Sequence, residues 1–323
     1  MKAIVQDEYG SSEVLKLQEV DNPITADNGV LVRVHAASIH PGDWLLMTGQ
    51  PYLFRPAFGL RRPRKRIPGF DFAGTVESTG KDAKEFQPGD EVFGNAGDGS
   101  CAEYVSVSEE TVALKPANLT LEQAAVVAVS GVTALRGLRD AGKVKPGRHV
   151  LINGASGGIG TFAVQIAKAL GAEVTGVCST NNVEMVRSIG ADHVIDYTQE
   201  NFTQGGERYD VILDNVANHS LADCRRALNP EGILLTNNGT SGSRWIGPLG
   251  RMAAAALLSP FVRKQRPPFY APVRKKDLLD LTELIEAGKV TPVIGSTFPL
   301  GETSDAMSHV AEGHARGKVA ITL

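Results

Sequence analysis

Cysteine is scarce in this sequence: only Cys101, Cys178 and Cys224 occur among 323 residues, and no two of them form a CxxC pair. That scarcity excludes a disulfide framework and a cysteine-based metal site, and it suits a reducing compartment. Long hydrophobic runs are missing as well. The longest apolar stretch, "MAAAALLSPFV" from Met252, is too short to cross a bilayer and contains Pro260. The opening "MKAIVQDEYG" lacks a long apolar segment and a small-residue cleavage site, so it reads as a strand and not as a signal peptide. Neither sign of charge dominates, with 33 basic residues against 36 acidic ones and a formal net charge of −3. Such a balance exerts no global pull toward nucleic acid or an anionic membrane. A cytoplasmic protein with no membrane association is expected.

What the sequence does have is an ordinary globular composition, 42% hydrophobic and 21% charged, in a chain long enough for two domains. The first third is rich in short strands and turns. In "GVLVRVHAAS", Val30, Val32 and Val34 share one face while Leu31, Arg33 and His35 share the other. From Thr120 the pattern changes to alternating apolar strands and helices. The strands are "HVLIN", "EVTGVC", "HVIDY", "YDVILDNV" and "GILLTNN"; the helices include "TFAVQIAKAL", "VEMVRSIG" and "LADCRRAL". In the first of these helices Ala163, Ile166, Ala167 and Leu170 form one apolar face. This alternation predicts an α/β fold, a parallel sheet covered on both sides. After Ala271, "KKDLLDLTELIEAGKV" reads as a helix capped by Asp277 and stopped by Gly288.

The stretch "NGASGGIG" lies between a strand and a helix, with the spacing Ala155-x-Gly157-x-x-Gly160. It is a variant of the dinucleotide fingerprint, in which glycines let the backbone approach a pyrophosphate and let helix and strand pack closely. Ala155, Ser156, Gly157, Gly158, Ile159 and Gly160 are therefore expected to hold the cofactor phosphates. Asn215 and Val216, and likewise Asn238 and Gly239, end strands at the carboxyl edge where ligands lie in such sheets. The second strand of the unit ends on Ser179 and Thr180, without the acidic residue that would bind a ribose 2′-hydroxyl. Two hydroxyls there can donate to a 2′-phosphate, so NADPH is expected in preference to NADH.

Two stretches, Arg55–Arg66 and Arg263–Lys276, each hold six basic residues and no acid. A solvated surface loop is the simplest reading of each. The alternatives are a rim that attracts an anionic substrate or the cofactor phosphates, and an RNA contact helped by nearby aromatics. No RNA-binding motif accompanies them, and a nucleic-acid partner is not expected.

The whole chain resembles the medium-chain dehydrogenase/reductase superfamily, and within it the zinc-independent quinone oxidoreductase branch. The resemblance is carried by "HPGDW" (40–44), "IPGFDFAGTV" (67–76), "PGDEVFG" (88–94), "AVSGVTAL" (128–135), "GASGGIGTFAVQIAKALGA" (154–172), "GADHVIDY" (190–197), "LIEAGKVTPVI" (284–294) and "HARGKVAITL" (314–323). It implies a GroES-like, mainly β catalytic domain from residues 1–120 with 273–323, and a Rossmann domain from 121–272. It also implies a homodimer or tetramer, with Thr133 near the nicotinamide and Tyr197 reaching the 2′-phosphate; Arg187 and Arg316 are the candidates for a charged contact to that phosphate.

The zinc branch of this superfamily uses a cysteine, a His-Glu pair and a later Cys or Asp. Here Ile39–His40 and Phe70-Asp71 occupy the first positions, and His35, His40 and Asp71 match no metal site by spacing. No zinc is therefore expected. Lacking a Lewis acid, the chain is suited to passing hydride to a quinone or an α,β-unsaturated carbonyl. The active-site segment implied by the resemblance gives His40, Asp43 and Trp44: His40 as a donor of a proton or hydrogen bond, Asp43 as a cap or orienting group, and Trp44 as a pocket wall. Leu45 stands where family members often carry a tyrosine. That departure keeps open two other readings, a cofactor-binding redox sensor or interaction protein with little catalysis, and a zincless alcohol dehydrogenase-like enzyme.

Overall fold

The computed structural model describes residues 1–97, 99–237, 265–266, 272–313 and 315–323. Asn238, Gly239 and most of the second basic stretch lie outside the described residues. In chain order the strands are β1 (Lys2–Val5), β2 (Lys16–Glu19), β3 (Gly29–Ile39), β4 (Asp71–Thr79), β5 (Glu91–Asn95), β6 (Tyr104–Ser108), β7 (Val112–Leu114), β8 (His149–Asn153), β9 (Glu173–Cys178), β10 (His193–Asp196), β11 (Tyr209–Asp214), β12 (Leu228–Thr236), β13 (Gln265–Arg266), β14 (Ile294–Pro299) and β15 (Lys318–Thr322). The helices are α1 (Pro41–Thr48), α2 (Arg55–Phe58), α3 (Leu121–Ala124), α4 (Ala128–Arg136), α5 (Gly158–Ala169), α6 (Val183–Ser188), α7 (Leu221–Arg226), α8 (Lys275–Glu286) and α9 (Thr303–Ala311).

The chain divides into two compact units. One comprises Met1–Val132, Pro272–Ala287 and Pro292–Leu323; the other comprises Thr133–Ala271 and Gly288–Thr291. The division between the units falls inside α4, between Val132 and Thr133. The reason is local: Val129 N–H donates to Asp71 of β4, and Gly131 fits closely against Leu281 of α8. The small return segment belongs to the second unit because the Gln165 side chain bonds both the N–H and the C=O of Thr291.

The first unit is built on a seven-stranded sheet in the order β14-β15-β3-β4-β5-β7, with β6 also paired to β3. The alternation of β3 has its physical outcome here, with Val30, Val32 and Val34 buried and Arg33 and His35 exposed. These valines join Phe72, Val92 and Val105 in the core. Register decides what collects at one end of this sheet. Asn95 of β5 faces Asp71 of β4, Asp71 faces Ser38 of β3, and Ile39 faces Val319 of β15. That register brings Lys318, at the start of β15, beside the residue that follows β3, His40. Helix α8 begins at Lys275 with Arg274 as its cap residue, so Asp277 lies buried in the first turn and is not the cap. Its charge there still meets the positive end of the helix.

The second unit holds six parallel strands in the order β10-β9-β8-β11-β12-β13. This is the doubly wound order in which the chain reverses direction between β8 and β11, and ligands bind outside the carboxyl ends of the strands at that switch point. Residues Gly160 to Ala167 of α5 are all buried, so the helix is covered around its circumference and not only on the expected face. Small residues at Gly160, Ala163 and Ala167 permit that close packing.

Candidate functional site

The turn after β8 is made by glycines, and at two of them, Gly154 and Gly160, a side chain is strained or excluded. Gly154 has φ +80°, a left-handed conformation that an L side chain rarely adopts. It performs the tight turn, which is why Ala155 can stand at the usual first glycine position. Ala155 is fully buried, and its N–H and that of Gly154 both donate to Val177 O at 2.9 and 3.1 Å. Gly160 sits against this turn so closely that a Cβ there would fall 2.0 Å from Gly154 O. Gly157 differs, since a Cβ would meet only Gly154 O, at 3.5 Å. It caps α5, and Ser156 to Ile159 around it are half-buried. This is a cradle of backbone at a helix N-terminus with open space above it, and it fits a pyrophosphate.

At the switch point a polar network fixes the carboxyl edge. Asn153 Nδ2 donates to Asp214 Oδ1 at 2.8 Å and to Asn218 Oδ1 at 2.9 Å. Asp214 also accepts from the N–H groups of Val216 and Ala217. Asn215 donates to Asn153 O and accepts from Asn237 Nδ2. Asn215 and Val216 are thus held at the strand end, with Val216 39% exposed. The network rests on Asn153, Asp214 and Asn237, which sequence reasoning missed; each is the polar residue at or just past the end of an apolar strand, and that was the available signal.

At the end of β9 the surroundings of Ser179 and Thr180 need one correction. A carboxylate is present. Asp196, brought there by parallel pairing that sets it opposite Cys178, accepts from the Thr180 hydroxyl at 2.6 Å. That bond and those from Thr198 and Gln199 hold its carboxyl below the usual range. The Thr180 hydroxyl is therefore engaged, whereas Ser179 Oγ accepts from Asn182 Nδ2 and retains its own proton to donate. Tyr197 is 52% exposed, and its N–H bonds Cys178 O. Arg187 is paired with Glu184 at 3.0 Å, and its charge also acts on Cys178 at the end of β9.

The first unit contains a buried charged cluster. His40 is the N-cap of α1, with Pro41 at the first helical position. Asp43 Oδ2 accepts from His40 N–H at 2.8 Å, and Asp43 Oδ1 accepts from Gly69 N–H at 2.9 Å. Asp43 is thus a buried cap that ties α1 to the approach to β4. Gly42 N–H donates to His40 Nδ1, which places the ring proton on Nε2. The ring stacks on Phe70 at 4.9 Å. Burial, helped by the Lys318 charge, lowers the His40 pKa to about 3, so at neutral pH it is a hydrogen-bond donor and cannot serve as an acid. Trp44 is half-buried and packs on the core.

Asp71 and Lys318 complete the cluster, and neither was expected in this role. Asp71 is wholly buried and accepts from Val129 N–H and from Asn95 Nδ2. Lys318 is 2% exposed with Nζ 3.9 Å from Asp71 Oδ2. Burial pushes Asp43 up to about 7 and Asp71 up to about 6, while Lys318 pulls both downward. Burial in turn lowers the Lys318 pKa. His40 Nε2, Ser38 Oγ, Ser100 Oγ and Lys318 Nζ are enclosed without a hydrogen-bond partner among the described residues. The remaining expected positions are separate: Thr133 lies on α4, 9% exposed in the second unit, and Arg316 is exposed just before β15 in the first.

Comparison with known proteins gives these two regions a family. A family model described as "Alcohol dehydrogenase GroES-like domain" matches residues 26–178, and one described as "Zinc-binding dehydrogenase" matches residues 189–321. The chain is 35% identical over 372 residues to the NAD(P)H oxidoreductase RTN4IP1, mitochondrial, of Homo sapiens, covering 100% of this chain and 89% of that one. It is 32% identical to the NADPH-dependent alkenal/one oxidoreductase, chloroplastic, of Arabidopsis thaliana, covering 99% and 79%. The chain belongs to the quinone oxidoreductase-like branch of the medium-chain dehydrogenase/reductase family. The quinone oxidoreductase of Coxiella burnetii, 28% identical, superposes with a TM-score of 0.86 over 100% of this chain and 99% of its own.

The zinc in the second family model's description does not fit the donors here. Among the described residues no three His, Cys, Asp or Glu side chains are grouped to hold a metal ion. His40 Nδ1 is occupied by Gly42 N–H, its Nε2 carries the proton, and Phe70 offers no ligand atom. The glycine turn, by contrast, meets the steric demands of a dinucleotide cradle at Gly154 and Gly160.

Proposed function

We propose that this chain reduces quinones or α,β-unsaturated carbonyls with NAD(P)H, without a metal. The observation that carries the reading is the cradle Gly154–Gly160 at the switch point of the parallel sheet, supported by relatives named as oxidoreductases of that chemistry. When bound, the nicotinamide supplies a hydride. The chain's own residues bind and orient. Gly154, Ala155, Gly157 and Gly160 receive the phosphates, and Asn215 and Val216 define the edge. His40 offers a neutral Nε2–H to a substrate oxygen; a buried donor without an acceptor costs about 1–3 kcal/mol, and such a donor is retained where a ligand completes it. Trp44 provides an apolar wall. The reading is tested by oxidation of NADPH with a panel of quinones and enals, before and after exhaustive EDTA treatment. Turnover that survives chelation is expected. Tight NADPH binding with no turnover on the panel would instead make the chain a cofactor-binding protein. We also take it to be a homodimer, to be checked by sedimentation.

Because His40 stays neutral, His40→Ala is expected to lower kcat by about tenfold or more with little change in NADPH Kd. A limb of the wild-type pH profile between about 6 and 7 should therefore belong to Asp71 or Asp43 and shift in Asp43→Asn, and not belong to His40. An unchanged kcat would assign His40 to capping α1 alone.

The cofactor preferred is NADPH. Ser179, Tyr197 and Arg187 provide a donor, a ring and a charge near the end of β9, opposed by Asp196. Ser179→Asp is expected to weaken NADPH at least tenfold while sparing NADH, as a carboxylate meets the 2′-phosphate. Asp196→Asn should act in the opposite direction. Tighter binding of NADH than NADPH by the unaltered protein would overturn the preference.

A further inference from the structure

Residues 51–70 contain six basic side chains and no acid. The structure shows how they are displayed. Arg64 N–H donates to Phe58 O at 2.8 Å, and Gly59 N–H donates to Arg55 O at 2.7 Å. Gly59, at φ +126°, comes so close to Arg62 that a Cβ would lie 2.0 Å from its carbonyl oxygen. The result is a closed loop with Leu60, Arg61 and Arg62 at its tip. It is anchored from beneath, as Tyr9 OH donates to Gly59 O at 2.7 Å and the Arg55 guanidinium lies over the rings of Tyr9 and Tyr52.

The apolar groups of this face are as notable as its charge. The three most exposed large hydrophobic side chains among the described residues are Ile24 at 93%, Leu60 at 69% and Leu53 at 64%, and Phe58 is 44% exposed. Pro23, the neighbour of Ile24, lines a cavity of about 410 Å³ together with Val20, Asp21, Ile67, Arg64 and Arg66, which puts Ile24 next to the segment that carries Arg64. Aliphatic tips and arginines thus occur together on the first unit, beside a recess whose charged lining is Arg64, Arg66 and Asp21, with Arg66 paired to Asp7.

We propose that this face docks the protein on an anionic phospholipid surface, with Leu53, Phe58, Leu60 and Ile24 entering the acyl boundary and Arg61, Arg62, Arg64 and Lys65 meeting the headgroups. Exposed aliphatic side chains gain by leaving water for hydrocarbon, and basic residues are attracted by the negative leaflet. Nucleic acid is the poorer match, because base stacking needs free aromatic faces and Arg55 already covers Tyr52. A second copy of the chain is poorer still, since a two-fold contact through this patch would set its arginines against themselves. The contact is peripheral, as no helix of the described residues is long and apolar enough to cross a membrane. Net charge gave the opposite expectation because it sums over the chain, whereas docking depends on one face.

The test is co-sedimentation of the full chain with phosphatidylcholine vesicles, with and without phosphatidylserine. Binding is expected only with phosphatidylserine, and it should weaken with salt. Each basic residue near such a surface strengthens binding about fivefold, so Arg61→Ala/Arg62→Ala should weaken it about 25-fold. Leu53→Ser/Leu60→Ser should weaken it with the charges intact. Turnover of a water-soluble quinone should be unchanged in both variants, which separates this proposal from the assignment of the reaction. Absence of wild-type binding to phosphatidylserine vesicles would overturn it, as would indifference to Leu53→Ser/Leu60→Ser. Stronger retention by a single-stranded RNA oligonucleotide would assign the face to nucleic acid. A changed sedimentation coefficient in Arg61→Ala/Arg62→Ala would assign it to self-association, and a loss of turnover would assign it to the substrate path.

Discussion

Gly160→Val is expected to raise the Kd for NADPH by at least a hundredfold and to lower the melting temperature as well. A Cβ at this position falls 2.0 Å from Gly154 O and 2.8 Å from the Ala155 backbone, and both contacts are with main chain that cannot rotate away. The turn must move, and with it the N–H groups that face the phosphates. A hundredfold loss corresponds to about 2.7 kcal/mol, within the range that overpacking a rigid site imposes. Gly157→Ala is the control. Its added methyl meets only Gly154 O, at 3.5 Å, so the fold should keep its melting temperature while the methyl occupies the space a phosphate needs. Titration of intrinsic fluorescence with NADPH, alongside calorimetry, reads both effects. Equal NADPH affinity in Gly160→Val and the unaltered protein would remove the cradle from the reading of this chain as a nucleotide-dependent enzyme.

The contrast between these two glycines shows what a sequence discloses. The cradle is local, so its glycine spacing, its preceding strand and its following helix were all visible within "HVLINGASGGIGTFAVQIAKAL". The division of labour inside it was not, because only backbone angles reveal that Gly154 takes the positive φ and frees Ala155 to be buried. Asp196 escaped notice for a different reason. It arrives beside Thr180 by parallel pairing of β9 with β10, and a scan past the carboxyl end of the second strand alone finds no acid there. The cluster of His40, Asp43, Asp71 and Lys318 is the extreme case, since it joins both ends of the chain through the register of β15 on β3 and of β3 on β4. Its trace in the sequence is slight: a lysine opening the apolar strand "KVAIT" and an aspartate between two phenylalanines in "FDF". Each is a polar residue where burial predicts an apolar one, and each demands a partner that sequence distance conceals.

That demand makes Lys318→Met a strongly destabilising change. Lys318 is 2% exposed, and its ammonium is 3.9 Å from a fully buried Asp71 carboxylate. Removing one member of a buried ion pair leaves the other charge uncompensated, at a cost of about 3–5 kcal/mol. For a unit of this size the melting temperature should fall by roughly 6–20 °C. The loss should depend on pH, and its sign follows from the carboxyls. In the folded chain Asp71 titrates at about 6 and Asp43 at about 7, above the ordinary value of about 4 in the unfolded chain. A carboxyl raised in this way contributes stability that is fully present below the unfolded pKa and is lost as pH rises through the folded one. Lys318 restrains that rise; without it both carboxyls move further up and stay neutral at pH 5, where little is lost. At pH 8 they must either ionise unpaired or hold protons against the solvent, and the full penalty appears. His40, lowered to about 3 by burial and by the Lys318 charge, works the other way: its contribution is present above about 6.5 and is lost as pH falls, and because Lys318→Met relieves part of that lowering the variant loses less at low pH, which acts in the same direction as the carboxyls. Calorimetry of Lys318→Met and the unaltered protein at pH 5 and pH 8 should therefore show a gap that widens with pH, and Lys318→Arg, which keeps the charge, should narrow it. An equal gap at both pH values would mean that Lys318 is held there for the packing of its methylenes, and that Asp71 and Asp43 do not rely on its charge.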